Sequence, residues 1–187
     1  MMENYICFDT ETTSLVRNDL LPLKAQPHIA EFAAVLFSID ESGEGEEIGT
    51  LDFLALPGVP ITEEITRITG IKPEDVRNMP PFARRASDVR EFFAQAGRRC
   101  AHNLTFDERM LEFEFARADA GTPWPTAFRQ KRLCTVEASE HILGRRTKLS
   151  DLLTTLTGET LTGAHRALVD VRATVRCIRA MRKRGDL

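Results

Sequence analysis

The stretch "YICFDTETTSL", residues 5–15, joins two things that rarely meet. Tyr5, Ile6, Cys7 and Phe8 form an apolar run that reads as an interior strand, and it carries straight into Asp9 and Glu11 with only Thr10 between them. Residues two apart on a strand point to the same side, so the two carboxylates can aim at one point in space. Unneutralised, they would repel, and one would be driven to bind a proton. A hard divalent cation removes that conflict, because Mg²⁺ takes oxygen ligands from one or two carboxylates and completes its shell with water and phosphate. An exposed strand end with both acids in water accounts for this tripeptide equally well.

Outward from this strand, hydrophobic pattern and breakers alternate strands with helices, which points to an α/β fold. The expected strands are Tyr5–Asp9, Ile29–Ile39, Ile48–Ala55, Arg99–His102 and Arg132–Val136, with "DESGEGEE" as a hairpin turn between the second and third. "PITEEITRITGIKPEDV" reads as two short helices, with Thr62 as N-cap, Gly70 as stop and Pro73 as first residue of the second. An amphipathic helix is expected over Ala86–Ala96, ending at Gly97. Another begins after Asn103, carries Leu111, Phe115 and Ala118 on one stripe, and stops by Gly121 and Pro123. Helices over Val136–Leu143, Leu149–Leu156 and about Arg166–Lys183 complete the chain, the last with a stripe of Leu168, Val171, Val175 and Ile178. Residues 16–28, "VRNDLLPLKAQPH", are the most loop-like stretch.

At 187 residues with 42% apolar content the chain reads as one globular domain, residues 1–187, without repeat or linker. A net charge of −3 argues against a protein that grips long duplex by covering phosphates with Lys and Arg, and leaves room for a cleft that holds a few nucleotides. Cys7, Cys100, Cys134 and Cys177 are widely spaced, without a C-x-x-C pair, and are expected to be free buried thiols. No apolar run is long enough for a bilayer and the start, Met-Met-Glu-Asn, is not a signal sequence, so a cytoplasmic protein with no membrane partner is expected.

Two further segments carry chemistry-bearing residues. In "CAHNLTFDERML", a short strand ends in His102 and Asn103 and runs into a helix whose first turn contains Asp107. Alone, Asp107 is a residue that the helix dipole favours at that place. In "GAHRALVDVRAT", His165 precedes Asp170 by five residues at the start of the last helix. A single His after a Gly-Ala turn is more often a surface residue than a catalyst, whereas Asp170 lies beside the helix's core stripe.

In combination, "FDTETTSL", "HNLTFD" and "HRALVD" resemble the three motifs of the DnaQ-like 3′–5′ exonuclease superfamily, in the DEDDh branch that places a His five residues before the last Asp. "PHIAEFAAV" and "ITEEITRITGIKPEDV" extend the resemblance over nearly the whole chain. It implies a ribonuclease H-like fold, with a central five-stranded mixed sheet, one strand antiparallel, flanked by helices. It implies two divalent ions, Mg²⁺ or Mn²⁺, held by Asp9, Glu11, Asp107 and Asp170, and His165 as general base. For the substrate it implies Thr10, Thr12, Leu15, Ile65, Asn103 and Phe106, although core packing is the alternative for Leu15, Ile65 and Phe106. His102 is implied to be structural. Thr69 departs from the pattern, since relatives often have His before the Gly of "ITGI".

The expected activity is hydrolysis of phosphodiester bonds at the 3′ end of single-stranded DNA, releasing nucleoside 5′-monophosphates, in a proofreading or repair-like role. An exoribonuclease of the same superfamily is the alternative, because the metal site meets only the phosphate and discrimination rests on the 2′ position. An inactive nucleic-acid or polymerase-binding module would be marked by a missing carboxylate, and none is missing. A DNA polymerase is the expected protein partner, without a tether, since the chain ends at Leu187 just after the last helix. Of the basic clusters at Arg84 and Arg85, 129–132, 145–148 and 182–184, the loop with Arg145, Arg146 and Lys148 is favoured to guide phosphates, and the rest read as solvated faces.

Overall fold

In a computed structural model, which describes residues 1–16, 18, 20–118 and 130–187, the chain forms five strands and seven α-helices among the described residues. In chain order these are β1 (Glu3–Thr12), β2 (Ile29–Ile39), β3 (Glu47–Leu54), α1 (Glu63–Thr69), α2 (Pro73–Val76), α3 (Ala86–Phe93), β4 (Arg98–Ala101), α4 (Leu104–Ala118), β5 (Lys131–Cys134), α5 (Thr135–Leu143), α6 (Leu149–Thr157) and α7 (Ala167–Arg184). The strands form one sheet in the order β3-β2-β1-β4-β5. Strand β2 runs antiparallel to both its neighbours, while β1, β4 and β5 are mutually parallel, so the sheet is mixed with one reversed strand.

The sheet's alternation sorts side chains to two faces. Ile6 and Phe8 of β1 join Phe32 and Ala34 of β2 in a core under α3 and α4 that includes Phe82, Phe93, Met110 and Leu111. Tyr5 and Cys7 join Ala33, Val35 and Phe37 under Ala167, Val171, Val175 and Ile178 of α7. The opposite side of α7 buries Ala173, Cys177 and Met181 against Leu152 and Leu153 of α6. Central position therefore explains why β1 is apolar on both faces, as strands covered on both sides are.

Local signals act as their chemistry requires. Thr62 accepts the amide of Ile65 through its hydroxyl, and Gly70 ends α1 at φ 74°, where a side chain would be strained. The acidic segment after β2 turns the chain into β3, with Gly43 at φ 85° and Asp40 Oδ1 accepting the amides of Ser42 and Glu44. All four cysteines are free and buried. Strand β1 is longer than expected, running over Glu3–Thr12 and so taking in Glu11, and two further boundaries differ by more than one residue. Strand β5 ends at Cys134, and Thr135 and Val136 already belong to α5, because the side chain of Thr135 turns inward to meet His102 Nδ1 at 2.9 Å. Helix α3 stops at Phe93, three residues short, and Gly97 instead donates its amide to Asn4 to begin the pairing of β4. The expected stop of α4 at Gly121 and Pro123, together with Arg129, lies outside the described residues, as do Arg17 and Asp19 of the 16–28 loop.

Candidate active site

The carboxyl ends of β1 and β4 lie side by side, the place where open α/β sheets gather ligands. Asp9 and Glu11 continue the face of β1 that Tyr5 and Cys7 turn toward α7, where Asp170 stands in the first turn. Thr10, between them, faces the other way and donates its hydroxyl to Oδ1 of Asp107 at 2.8 Å. Asp107 comes from the first turn of α4 and is 2% exposed. The connection is tight: Asn103 takes φ 73°, an uncommon value for a residue with a side chain, and its carbonyl accepts the amide of Phe106 to start the helix. All four acids thus reach one edge of the sheet from three elements.

Their electrostatics are those of buried acids crowded together. Burial holds the Asp9 carboxyl well above the ordinary carboxylate range, and Asp107, Glu11, Asp170 and Glu31 add to the effect. Burial also pushes Glu11 up to about 8, reinforced by Asp170 and Glu31 and opposed by Arg166. Asp107 is pushed up to about 7 by burial, against the hydrogen bond from Thr10. Asp170 is raised by burial as well, with the amide of His165 pulling the other way. Several acids crowded this closely ionise together only with positive charge among them.

Donor atoms of Glu11, His165 and Asp170 all lie within 4.8 Å of one another. Asp170 Oδ2 accepts the backbone amide of His165 at 3.0 Å, while Oδ1 is buried with no hydrogen-bond partner among the described residues. Buried polar atoms are almost always paired, so a bare carboxylate oxygen beside other oxygen donors fits a hard divalent cation. His165 itself is exposed and adopts φ 66°.

Beside the acids runs a cleft of about 620 Å³. Thr10, Thr12, Leu15, Ile65 and Phe106 line it, five of the six residues expected at the substrate. Asn103 does not line this cleft, and stands exposed at the start of α4. Leu15 is 74% exposed, whereas Ile65 is buried against Ile61, Ile71 and Val76, so its side chain serves packing as well as the cleft wall. Phe106 is half-buried against the core beneath α3 and α4. Thr69 also reaches the cleft, and its hydroxyl donates to the Ile65 carbonyl and accepts the Ile71 amide, closing the end of α1.

His102 holds Thr135 and is pushed down to about 4 by burial, so it is a neutral, structural imidazole near neutral pH. Arg145 and Arg146 are exposed, with Arg146 3.9 Å from Glu140. Sequence reading passed over Glu31 and Arg166. Glu31 is the sole charged residue in the apolar run Ile29–Ile39, and a lone carboxylate in such a run was the signal available.

The model of the exonuclease family RNase_T matches residues 6–178. The chain is 32% identical over 115 residues to DNA polymerase III PolC-type of Streptococcus sanguinis (strain SK36), and 32% identical over 118 residues to that of Streptococcus suis (strain 98HAH33). These matches take in 60% and 61% of the chain, which spans about 7% of the length of those relatives. Among solved structures, the nuclease domain of 3′hExo, a DEDDh family member bound to rAMP, superposes with a TM-score of 0.76 at 18% identity, covering 98% of this chain and 93% of that one. Exonuclease X in complex with 5′ overhanging duplex DNA superposes with a TM-score of 0.66 at 24% identity, covering 97% and 93%. No helix among the described residues is long and apolar enough to cross a membrane. With the family match running from the centre of β1 to the far part of α7, the chain belongs to the exonuclease family RNase_T.

Proposed function

We propose that residues 1–187 act as a single exonuclease domain that removes nucleoside 5′-monophosphates from the 3′ end of single-stranded DNA. The observation that carries this reading is the bare, buried Asp170 Oδ1, set beside His165 and beside Glu11, which also lines the cleft. Asp9, Glu11, Asp107 and Asp170 would hold two divalent ions, Mg²⁺ or Mn²⁺. Such ions, when bound, supply a lowered pKa for water and positive charge for the phosphoryl oxygens and the departing 3′ oxygen.

The chain's own residues do the rest. His165 is the general base: its exposed imidazole takes the proton of the water whose oxygen attacks phosphorus. Asp170 fixes the His165 backbone through Oδ2. Thr10 keeps Asp107 oriented and favours its ionised form. Leu15, Ile65 and Phe106 offer apolar surface to the terminal bases, and Thr12 and Asn103 offer polar groups to the sugar and backbone. A DNA polymerase partner and a proofreading or repair role are supported by the similarity to the PolC-type polymerases. A cytoplasmic location agrees with that setting.

The test is digestion of 5′-labelled single-stranded DNA and RNA of one sequence, in Mg²⁺ and in EDTA, by the wild type, Asp9→Ala and His165→Ala. A metal-dependent ladder that shortens from the 3′ end and is absent in Asp9→Ala is expected, with DNA the faster substrate. Faster RNA cleavage would move the protein to the exoribonucleases. His165→Ala should lose about 10²–10⁴-fold in turnover while its metal titration stays unchanged. A weakened metal titration would make His165 a ligand instead.

A further inference from the structure

We propose that Glu31 is a positioning residue for this reaction: through Arg166 and the first amide of α7 it fixes where His165 stands. The inference rests on the base assignment made for His165 above.

Glu31 lies on β2 directly opposite Glu11 and is 2% exposed. Its carboxylate accepts Nε of Arg166 at 3.0 Å, Nη2 of Arg166 at 2.8 Å and the backbone amide of Ala167 at 3.2 Å. Ala167 is the first residue of α7, whose own flanking residue, Arg166, makes no side-chain cap. A carboxylate from the sheet therefore does what a Ser or Asp at the helix start usually does. The difference lies in its reach, because a local cap holds a helix to its own preceding turn, whereas Glu31 holds α7 to the strand that pairs with β1.

His165 sits between two such anchors. On one side Asp170 Oδ2 accepts its amide, and on the other the Glu31 carboxylate grips the very next residue. Its φ of 66° is one that residues with side chains adopt only when their surroundings over-determine it. Together the two carboxylates supply that determination. The arrangement is costly, since Glu31 adds another acid to a site that already crowds four, and it raises the proton affinity of Asp9 and Glu11. A neutral cap would serve helix stability alone without that cost. What the carboxylate adds is a planar, two-point grip on guanidinium, which fixes direction as well as distance.

Turnover and KM on single-stranded DNA would be measured for the wild type, Glu31→Gln, Arg166→Lys, His165→Ala and the Glu31→Gln/His165→Ala double variant. Hydrogen exchange of the His165 amide would be followed in the metal-free protein. Glu31→Gln is expected to lower kcat by about 10–100-fold with KM within about twofold, since misplacement by an ångström costs on that order. The His165 amide should exchange about tenfold faster in Glu31→Gln, as its local protection falls. In the double variant the two losses should be far less than multiplicative, because the residues act as a unit. Arg166→Lys keeps the charge but loses the planar fork, and should show the same kcat loss in weaker form even where Glu31→Gln folds poorly. Unchanged amide exchange, wild-type kcat in both Glu31→Gln and Arg166→Lys, or losses that multiply in the double variant would overturn the inference while leaving the base assignment intact. Wild-type turnover in His165→Ala would overturn the base assignment and this inference with it.

Discussion

Thr10 and Asp107 are 97 positions apart in sequence and share a hydrogen bond of 2.8 Å inside the site. The threonine between the two motif acids thus turns away from them and holds a third. Its hydroxyl opposes the burial that pushes Asp107 up to about 7, so it favours the ionised form at neutral pH. Thr10→Val keeps the volume and removes the donor. Hydrogen bonds to charged groups contribute about 1.5–3 kcal/mol, so kcat at neutral pH should fall about tenfold or more. Part of the loss should return at higher pH, where Asp107 ionises without help. A pH-independent loss would mean that Thr10 acts on the substrate and not through Asp107.

Much of this architecture can be read in the residues themselves. The strand carrying Asp9 and Glu11 shows its central position by being apolar on both faces, and Thr62, Gly70 and Pro73 mark α1 and α2 because caps and stops depend on local chemistry. The boundaries set by long-range contacts are the ones that differ. Thr135 enters a helix instead of continuing a strand because its hydroxyl meets His102, 33 positions earlier. Glu31 could be seen as unusual in an apolar strand, but its partners, Arg166 and Ala167, lie 135 and 136 positions away, a distance over which no periodicity operates.

Leu15 separates a substrate role from a packing role. It is 74% exposed yet lines the cleft beside the acids, so removing its side chain should leave the fold alone. Burial of such a side chain against a ligand is worth about 1.5–3 kcal/mol, and Leu15→Ala should raise KM about tenfold. The melting temperature should stay within a degree or two of the wild type. An unchanged KM would remove Leu15 from the substrate contacts.

Glu108 anchors the far side of the site. It accepts Arg99 Nε and a two-nitrogen fork from Arg132, tying α4 to β4 and β5, and only 8% of it is exposed. Removing one partner of a buried ion pair costs about 3–5 kcal/mol, so Glu108→Ala should lower the melting temperature by about 10 °C. A drop of under about 2 °C, the shift expected for less than 1 kcal/mol, would show that the exposed side of Arg132 lets solvent take over the pairing.

The raised carboxyls make stability depend on pH and metal together. Without cations, Glu11 titrates at about 8 and Asp107 at about 7, both above their values in the unfolded chain. Between those limits the folded protein holds protons that the unfolded chain has released. The stabilisation from these groups is therefore present at low pH and is lost as pH rises through about 7–8. In EDTA the melting temperature should fall from about pH 6 to pH 8.5. Millimolar Mg²⁺ should raise it, and by more at the higher pH, because cations bind the ionised acids and not the protonated ones. Asp9→Asn removes one buried charge and should raise the melting temperature of the metal-free protein at alkaline pH while abolishing the effect of Mg²⁺. A metal-free melting temperature that stays level or climbs over this interval would show that the four acids are solvated enough to ionise unaided, and that the crowding at the end of β1 does not create the demand for cations.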